Sequence, residues 1–141
     1  MGSDHISIFL PVVVQILLTL VVFVALAVAK GRALKTGAVD EKRRALFEDA
    51  WPESVIKINN NIRNQFQLPV LFYVLAIVLW LLGAAGVFAV VVAWLFVLSR
   101  VVHAYIHIGI NYVPARRRAF MFGAGMVMIM AVQAIGAILA A

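Results

Sequence analysis

The sequence predicts an all-α integral membrane protein, a four-transmembrane-helix bundle in a single membrane domain. Three observations carry this expectation. First, 65% of the 141 residues are hydrophobic and only 13% are charged, against about 45–50% and about 25% in a soluble domain. Second, the mean hydropathy is +1.06, an excess that a 15.4 kDa globule cannot hide because its surface is too large for its volume. Third, the apolar residues form long charge-free runs separated by basic connections. This composition excludes a disordered chain, a nucleic-acid module and a secreted disulfide scaffold. With no cysteine, there is no disulfide, thiolate ligand or cysteine nucleophile.

The first run, Ile6 to Ala29, is charge-free and longer than the roughly 20 residues that cross a bilayer core. A signal peptide fits poorly, because no basic residue precedes it and the apolar stretch is too long. Residues 30–55 follow with both charge signs and are expected to form a solvated connection, partly helical around Glu41–Ala50. Trp51-Pro52 ends any helix there, since proline disfavours the helical conformation at the residue before it. Asn64 to Ser99 carries no charge, and its only break is the turn Gly83-Ala84-Ala85-Gly86. Dividing there gives two spans of membrane length only if polar residues are drawn in. The second span brings Arg63, Asn64, Gln65 and Gln67; the third brings Arg100 and His103. After Asn111–Arg118 comes a fourth charge-free helix rich in glycine and methionine, where small residues permit close helix approach. The helices are expected at about 6–29, 56–82, 87–111 and 118–140.

Orientation follows from the basic residues. Every Lys and Arg falls in the first connection, the third connection or the helix ends beside them. The positive-inside rule then puts both long connections in the cytoplasm and both termini outside. The net charge of +6 is a topology signal rather than a nucleic-acid footprint.

Two polar stripes need an explanation, because an ionisable side chain deep in a bilayer costs about 2.5–3.5 kcal/mol on insertion scales. Asn60, Asn64, Gln67 and Leu71 follow the spacing of one helix face, with Arg63 beside them. Arg100, His103, His107 and Asn111 do the same on the third span. No Asp or Glu lies between Glu53 and the C-terminus, so Arg63, Arg100 and Arg116–Arg118 have no acidic neighbour in that region. Two readings stay open: interhelical hydrogen bonds that lock the bundle, or an anion pocket whose negative charge a ligand supplies. Arginine suits the second, because its fork binds carboxylate or phosphate bidentately and never loses its charge. Some of these arginines can instead pair with acids of the first connection. His103 and His107, four apart, can hold a metal, but no Glu or Cys accompanies them and no metal is assigned. Gln15, Thr19 and Gln133 read as packing contacts.

Asn64-Gln65-Phe66-Gln67-Leu68-Pro69-Val70-Leu71-Phe72-Tyr73 resembles the second-helix motif of the MAPEG family, the membrane-associated proteins in eicosanoid and glutathione metabolism. Arg100-Val101-Val102-His103, followed by Val113-Pro114-Ala115-Arg116, resembles its third-helix motif and the start of its fourth helix. The resemblance covers most of the chain. It implies a homotrimer of four-helix protomers that binds glutathione as co-substrate between subunits near the cytoplasmic face. It also implies a lipophilic substrate or lipid entering from the bilayer, and a bacterial-type, inner-membrane member. By position, Arg63, Asn64 and Gln67 match the second-helix motif, and Arg100 and His103 the third. Arg116 matches the arginine that stabilises the glutathione thiolate. Lys30 or Arg32 matches the basic residue closing the first helix. The family glutamate is Gln67 here, two positions often tyrosine are His107 and Phe120, and Arg117 and Arg118 add charge.

The resemblance thus implies a glutathione-dependent transferase or peroxidase acting on lipophilic electrophiles or lipid hydroperoxides. Arg116 would be catalytic, and Arg32, Arg63, Asn64, Gln67, Arg100, His103 and His107 would hold glutathione or a similar anionic thiol. The alternatives are a non-catalytic lipid-binding or scaffold member and a histidine-based metal or haem protein.

Overall fold

The computed structural model describes residues 7–140, so the expected helix start at Ile6 lies outside the described residues. Five α-helices follow in order: α1 (Phe9–Lys35), α2 (Glu53–Gln65), α3 (Leu68–Leu81), α4 (Val87–Ile108) and α5 (Val113–Leu139). With α2 and α3 taken together, four helical stretches are long and apolar enough to cross a membrane. No strand is present among the described residues.

α1 runs past the expected end at Ala29 to Lys35. The charges that begin at Lys30 mark where the helix leaves hydrocarbon, not where it stops. It stops at Thr36, whose hydroxyl donates back to the carbonyls of Arg32 at 3.1 Å and Ala33 at 3.2 Å. The helix expected around Glu41–Ala50 is reduced to turns and one 3-10 turn at Glu48–Ala50. Trp51 is extended, as the following Pro52 requires, and Pro52 opens α2 by accepting from the Val55 and Ile56 N–H groups.

The second span is broken, which its charge-free composition did not announce. Pro69 in the first turn of α3 has no N–H to give the carbonyl four residues back, so the ladder fails there. Phe66 and Gln67 close the end of α2 with N–H bonds to the carbonyls three residues back, Arg63 and Asn64. Of the expected stripe, Asn60 and Asn64 are partly buried. Gln67 and Leu71 are exposed, and the inward face of α2 is Val55, Ile58, Asn61, Ile62 and Gln65.

The turn between the second and third spans is tight. Gly83 sits at φ +66, a left-handed conformation that glycine adopts without strain, and it ends α3. Ala84 N–H then reaches the Leu79 carbonyl at 2.8 Å and Gly83 N–H the Trp80 carbonyl at 3.0 Å, the double closure of a Schellman motif.

α4 is the central helix and packs against all four others. Its inner residues join α3 and α5 in a core of Phe72, Ala76, Leu79, Ala89, Val92, Ala93, Phe96, Val127, Met130 and Ala134. Phe72 and Phe96 stack with ring centroids 4.4 Å apart. α4 and α5 approach closely at Gly123, where a Cβ would stand 2.6 Å from Ser99 Oγ. The outer faces expose apolar side chains such as Leu17, Val21, Val24, Phe88, Met128 and Val132, a surface that suits hydrocarbon rather than water.

Candidate functional site

The polar residues of the membrane region converge where α1, α2, α4 and the start of α5 meet. The α4 stripe points inward as its spacing requires: Arg100 is fully buried, and His103 and His107 are nearly so. Facing it, α2 supplies a chain of carboxamides. Gln15 of α1 donates to Gln65 Oε1 at 2.9 Å, and Gln65 donates to Asn61 Oδ1 at 3.1 Å. Asn61 and Asn64 then both direct an amide N–H at Nδ1 of His107, at 3.4 and 3.3 Å. An amide N–H can only donate, so Nδ1 of His107 is the acceptor in these contacts. Gln15, expected only as packing, and Gln65, expected as drawn-in polarity, thus join Asn61 in fixing the orientation of a site histidine. Their spacing at i, i+4 along α2 was the available signal.

Arg100 uses the break in the second span. Its Nη2 donates to the Asn64 carbonyl at 3.2 Å, beside the Gln67 N–H that bonds the same oxygen at 3.4 Å. Its guanidinium lies 5.8 Å from the centre of the Phe120 ring. Its Nε and Nη1 have no partner, and neither does buried Nδ1 of His103. The His103 ring stands edge-on to His107 at 5.4 Å and tilted against Phe120 at 5.9 Å.

In front of this layer lies a cavity of about 260 Å³ lined by Asn64, Gln67, His103, Val113, Arg116, Arg117 and Phe120. Arg116 reaches it from the first turns of α5, held by a hydrogen bond from Nη1 to Asn111 Oδ1. Asn111 has φ +51, a conformation asparagine tolerates, and it ends the connection from α4. The N-terminal N–H groups of α5 add a partial positive charge on the same side.

Of the residues singled out in the sequence, Asn64, Gln67, His103 and Arg116 line this one cavity. Arg100 and His107 stand behind it, bonded to its wall through Asn64. Arg117, expected to serve topology alongside Arg118, lines it too, whereas Arg118 is exposed and does not. Two of the arginines singled out in the sequence lie elsewhere in the structure. Arg63 is exposed and forms an ion pair with Glu48 of the first connection. Arg32 lines a separate cavity of about 730 Å³ between α1 and α2, together with Lys57, Ser54 and Ile108.

The five acids among the described residues are engaged away from the site. Glu41 pairs with Arg44 at 2.6 Å, Asp49 with Arg43 at 2.9 Å, Glu53 with Lys57 at 2.8 Å, and Glu48 with Arg63. Asp40 accepts from the Lys42 N–H. No group of three or more His, Cys, Asp or Glu is gathered among the described residues. The site is therefore a cationic, carboxamide-lined cavity backed by aromatic rings.

No curated protein and no solved structure matches the chain significantly. The MAPEG family model matches residues 8–136, nearly the whole chain and including every residue of the site just described, so the chain belongs to the MAPEG family.

Proposed function

We propose that this membrane protein is a thiol-dependent transferase or peroxidase, with glutathione as co-substrate and a lipophilic electrophile or lipid hydroperoxide as acceptor. One observation carries the reading: Arg116 and Arg117 stand at one cavity with Asn64, Gln67 and His103, and among the described residues no carboxylate lines it. A thiol titrates near 8.5 in water and attacks only as thiolate. A guanidinium beside the sulfur favours the thiolate, and arginine cannot escape its own burial by losing a proton. Arg116 has that role here, with the N-terminus of α5 adding to the field. In conjugation the sulfur lone pair forms a C–S bond while the leaving group departs with its electron pair. With a hydroperoxide the thiolate sulfur attacks the terminal oxygen, an S–O bond forms as the O–O bond breaks, the alkoxide leaves and takes a proton, and a second glutathione reduces the resulting sulfenic acid to the disulfide with loss of water.

The assembly that suits this chemistry is a homotrimer. Arg32 and Arg63 lie away from the cavity of their own protomer and would serve a site completed by a neighbouring subunit. Family resemblance supports this arrangement.

A second reading has its own support. Phe120 puts a hydrocarbon ring in the cavity wall against Arg100 and His103, and no side-chain hydroxyl lines the cavity. That favours a non-catalytic member that binds lipid or scaffolds other proteins. Purified protein separates the two. Thiolate absorbance on adding glutathione, with conjugation of a generic aromatic electrophile, is the expected result. Lipid binding with no thiolate signal would establish the second reading instead.

A further inference from the structure

We propose that the first connection carries a membrane-seated tip, in which Leu46 and Phe47 enter the headgroup–acyl boundary of the surrounding leaflet while Lys30 and Lys42 attract anionic lipid headgroups.

The tip is a built structure. The Asp40 N–H donates to the Ala50 carbonyl at 3.0 Å and closes the segment between them. Arg43 pairs with Asp49 across it at 2.9 Å, and the Leu46 and Phe47 N–H groups both turn back to the Arg43 carbonyl. This framework holds Leu46 87% and Phe47 50% exposed in the most charged part of the chain. Large apolar side chains held outward together mark a contact surface. Their position says what they contact. Leu46 and Phe47 share a cavity of about 170 Å³ with Lys30 and Trp51, and the Lys30 ammonium stands 5.0 Å from the centre of the Trp51 ring. Lys30 ends the charge-free run of α1, and tryptophan favours the headgroup level of a bilayer. Hydrocarbon is therefore within reach of two side chains that water hydrates at a cost. Charge then selects the headgroup. Glu41, Glu48, Asp49 and Glu53 neutralise Arg44, Arg63, Arg43 and Lys57. Lys30 and Lys42 form no ion pair with a described carboxylate, so their ammonium groups remain for lipid phosphate.

The chain has no cysteine, so Leu46→Cys gives a single attachment point for a fluorophore on the full chain. The labelled protein is placed in vesicles of phosphatidylcholine and phosphatidylglycerol. Quenching is read with nitroxide forms of each lipid, labelled near the top of the acyl chain, and with aqueous iodide. Strong quenching by lipid and weak quenching by iodide are expected, with phosphatidylglycerol favoured over phosphatidylcholine. Lys42→Gln changes an exposed side chain and is expected to lower that preference about fivefold, the scale of one lysine at an anionic surface, and Lys30→Gln to do the same. Quenching by iodide and not by lipid overturns the proposal, because the tip then lies in water. Shielding from both quenchers overturns it in favour of cover by a second copy of the chain. Equal quenching by the two lipids, or a preference that neither lysine change alters, overturns the headgroup assignment.

Discussion

Arg100 donates from α4 to the backbone carbonyl of Asn64 at 3.2 Å, across the point where α2 gives way to α3. The second span is interrupted just there, with Pro69 in the first turn of α3, and the Asn64 carbonyl accepts from the Gln67 N–H as well as from Arg100. It satisfies one nitrogen of a fully buried guanidinium and leaves two without a partner.

A buried charge so incompletely paired lowers stability, and its replacement by an apolar side chain of similar length is often stabilising by about 1–4 kcal/mol. Arg100→Met is therefore expected to raise the Tm of the ligand-free protein in detergent while weakening thiol binding. A Tm several degrees below wild type would show that Arg100 is structurally compensated.

The carboxamide chain makes the opposite prediction. Gln65→Leu leaves the Gln15 amide and Asn61 Oδ1 without their partner in the bundle and is expected to cost about 1–3 kcal/mol. Gln15→Leu in the same background should cost less than it does alone. Hydrogen bonds between membrane helices average about 0.6 kcal/mol in such cycles, with a maximum near 1.7. Strict additivity in unfolding free energy would mean that the two side chains do not interact.

Gly123 tests the packing of α4 on α5. A methyl group there meets Ser99 Oγ at 2.6 Å, whereas one at Gly125 meets nothing within 4 Å. Gly123→Ala is expected to destabilise by about 1–3 kcal/mol, the usual cost of overpacking. Gly125→Ala should be near neutral, and Ser99→Gly should rescue Gly123→Ala. Equal thermal shifts for the two alanine variants would refute the close approach.

The four spans were legible because charge-free length is a direct requirement of a bilayer. Their internal detail was less so. The α1 boundary moved to Lys35 because charge marks the water boundary rather than the end of hydrogen bonding. The α4 stripe of Arg100, His103 and His107 was readable because an unbroken helix keeps i, i+3 and i+7 on one face. The α2 stripe was legible in part: Asn64 meets His107 and, with Gln67, lines the cavity beside His103, but spacing did not show that Asn61 and Gln65 belong to the buried face of α2. The cavity joins α2, α4 and α5, and the placing of Arg117 and Phe120 on its wall depends on how the connection after Ile108 turns.

Topology is tested independently. All basic connections lie on one side of the expected spans, which puts both termini on the other. A C-terminal reporter that is active only when translocated should be active, and a cytoplasmic C-terminus would overturn the orientation.

Arg116 makes the sharpest test of the site. It is half-buried at the cavity, held by Asn111, and close to the N-terminus of α5. Arg118, two residues on, is exposed and outside the cavity, so it reports what a general loss of positive charge does. Arg117 lines the cavity but is itself exposed. Arg116→Ala is expected to abolish the glutathione thiolate signal and to reduce conjugation roughly 100-fold, as removal of a key electrostatic group does in other enzymes. Arg117→Ala should weaken thiol binding with a smaller loss of turnover, and Arg118→Ala should leave both near wild type. Arg116→Lys separates charge from geometry: an ammonium retains attraction for sulfur but not the planar fork that bonds Asn111, so partial recovery is expected. Thiolate absorbance and initial conjugation rates, with mass in mild detergent as the check on assembly, measure all four. Equal small effects from the three alanine variants would reduce these arginines to membrane-topology charges and remove Arg116 from the chemistry.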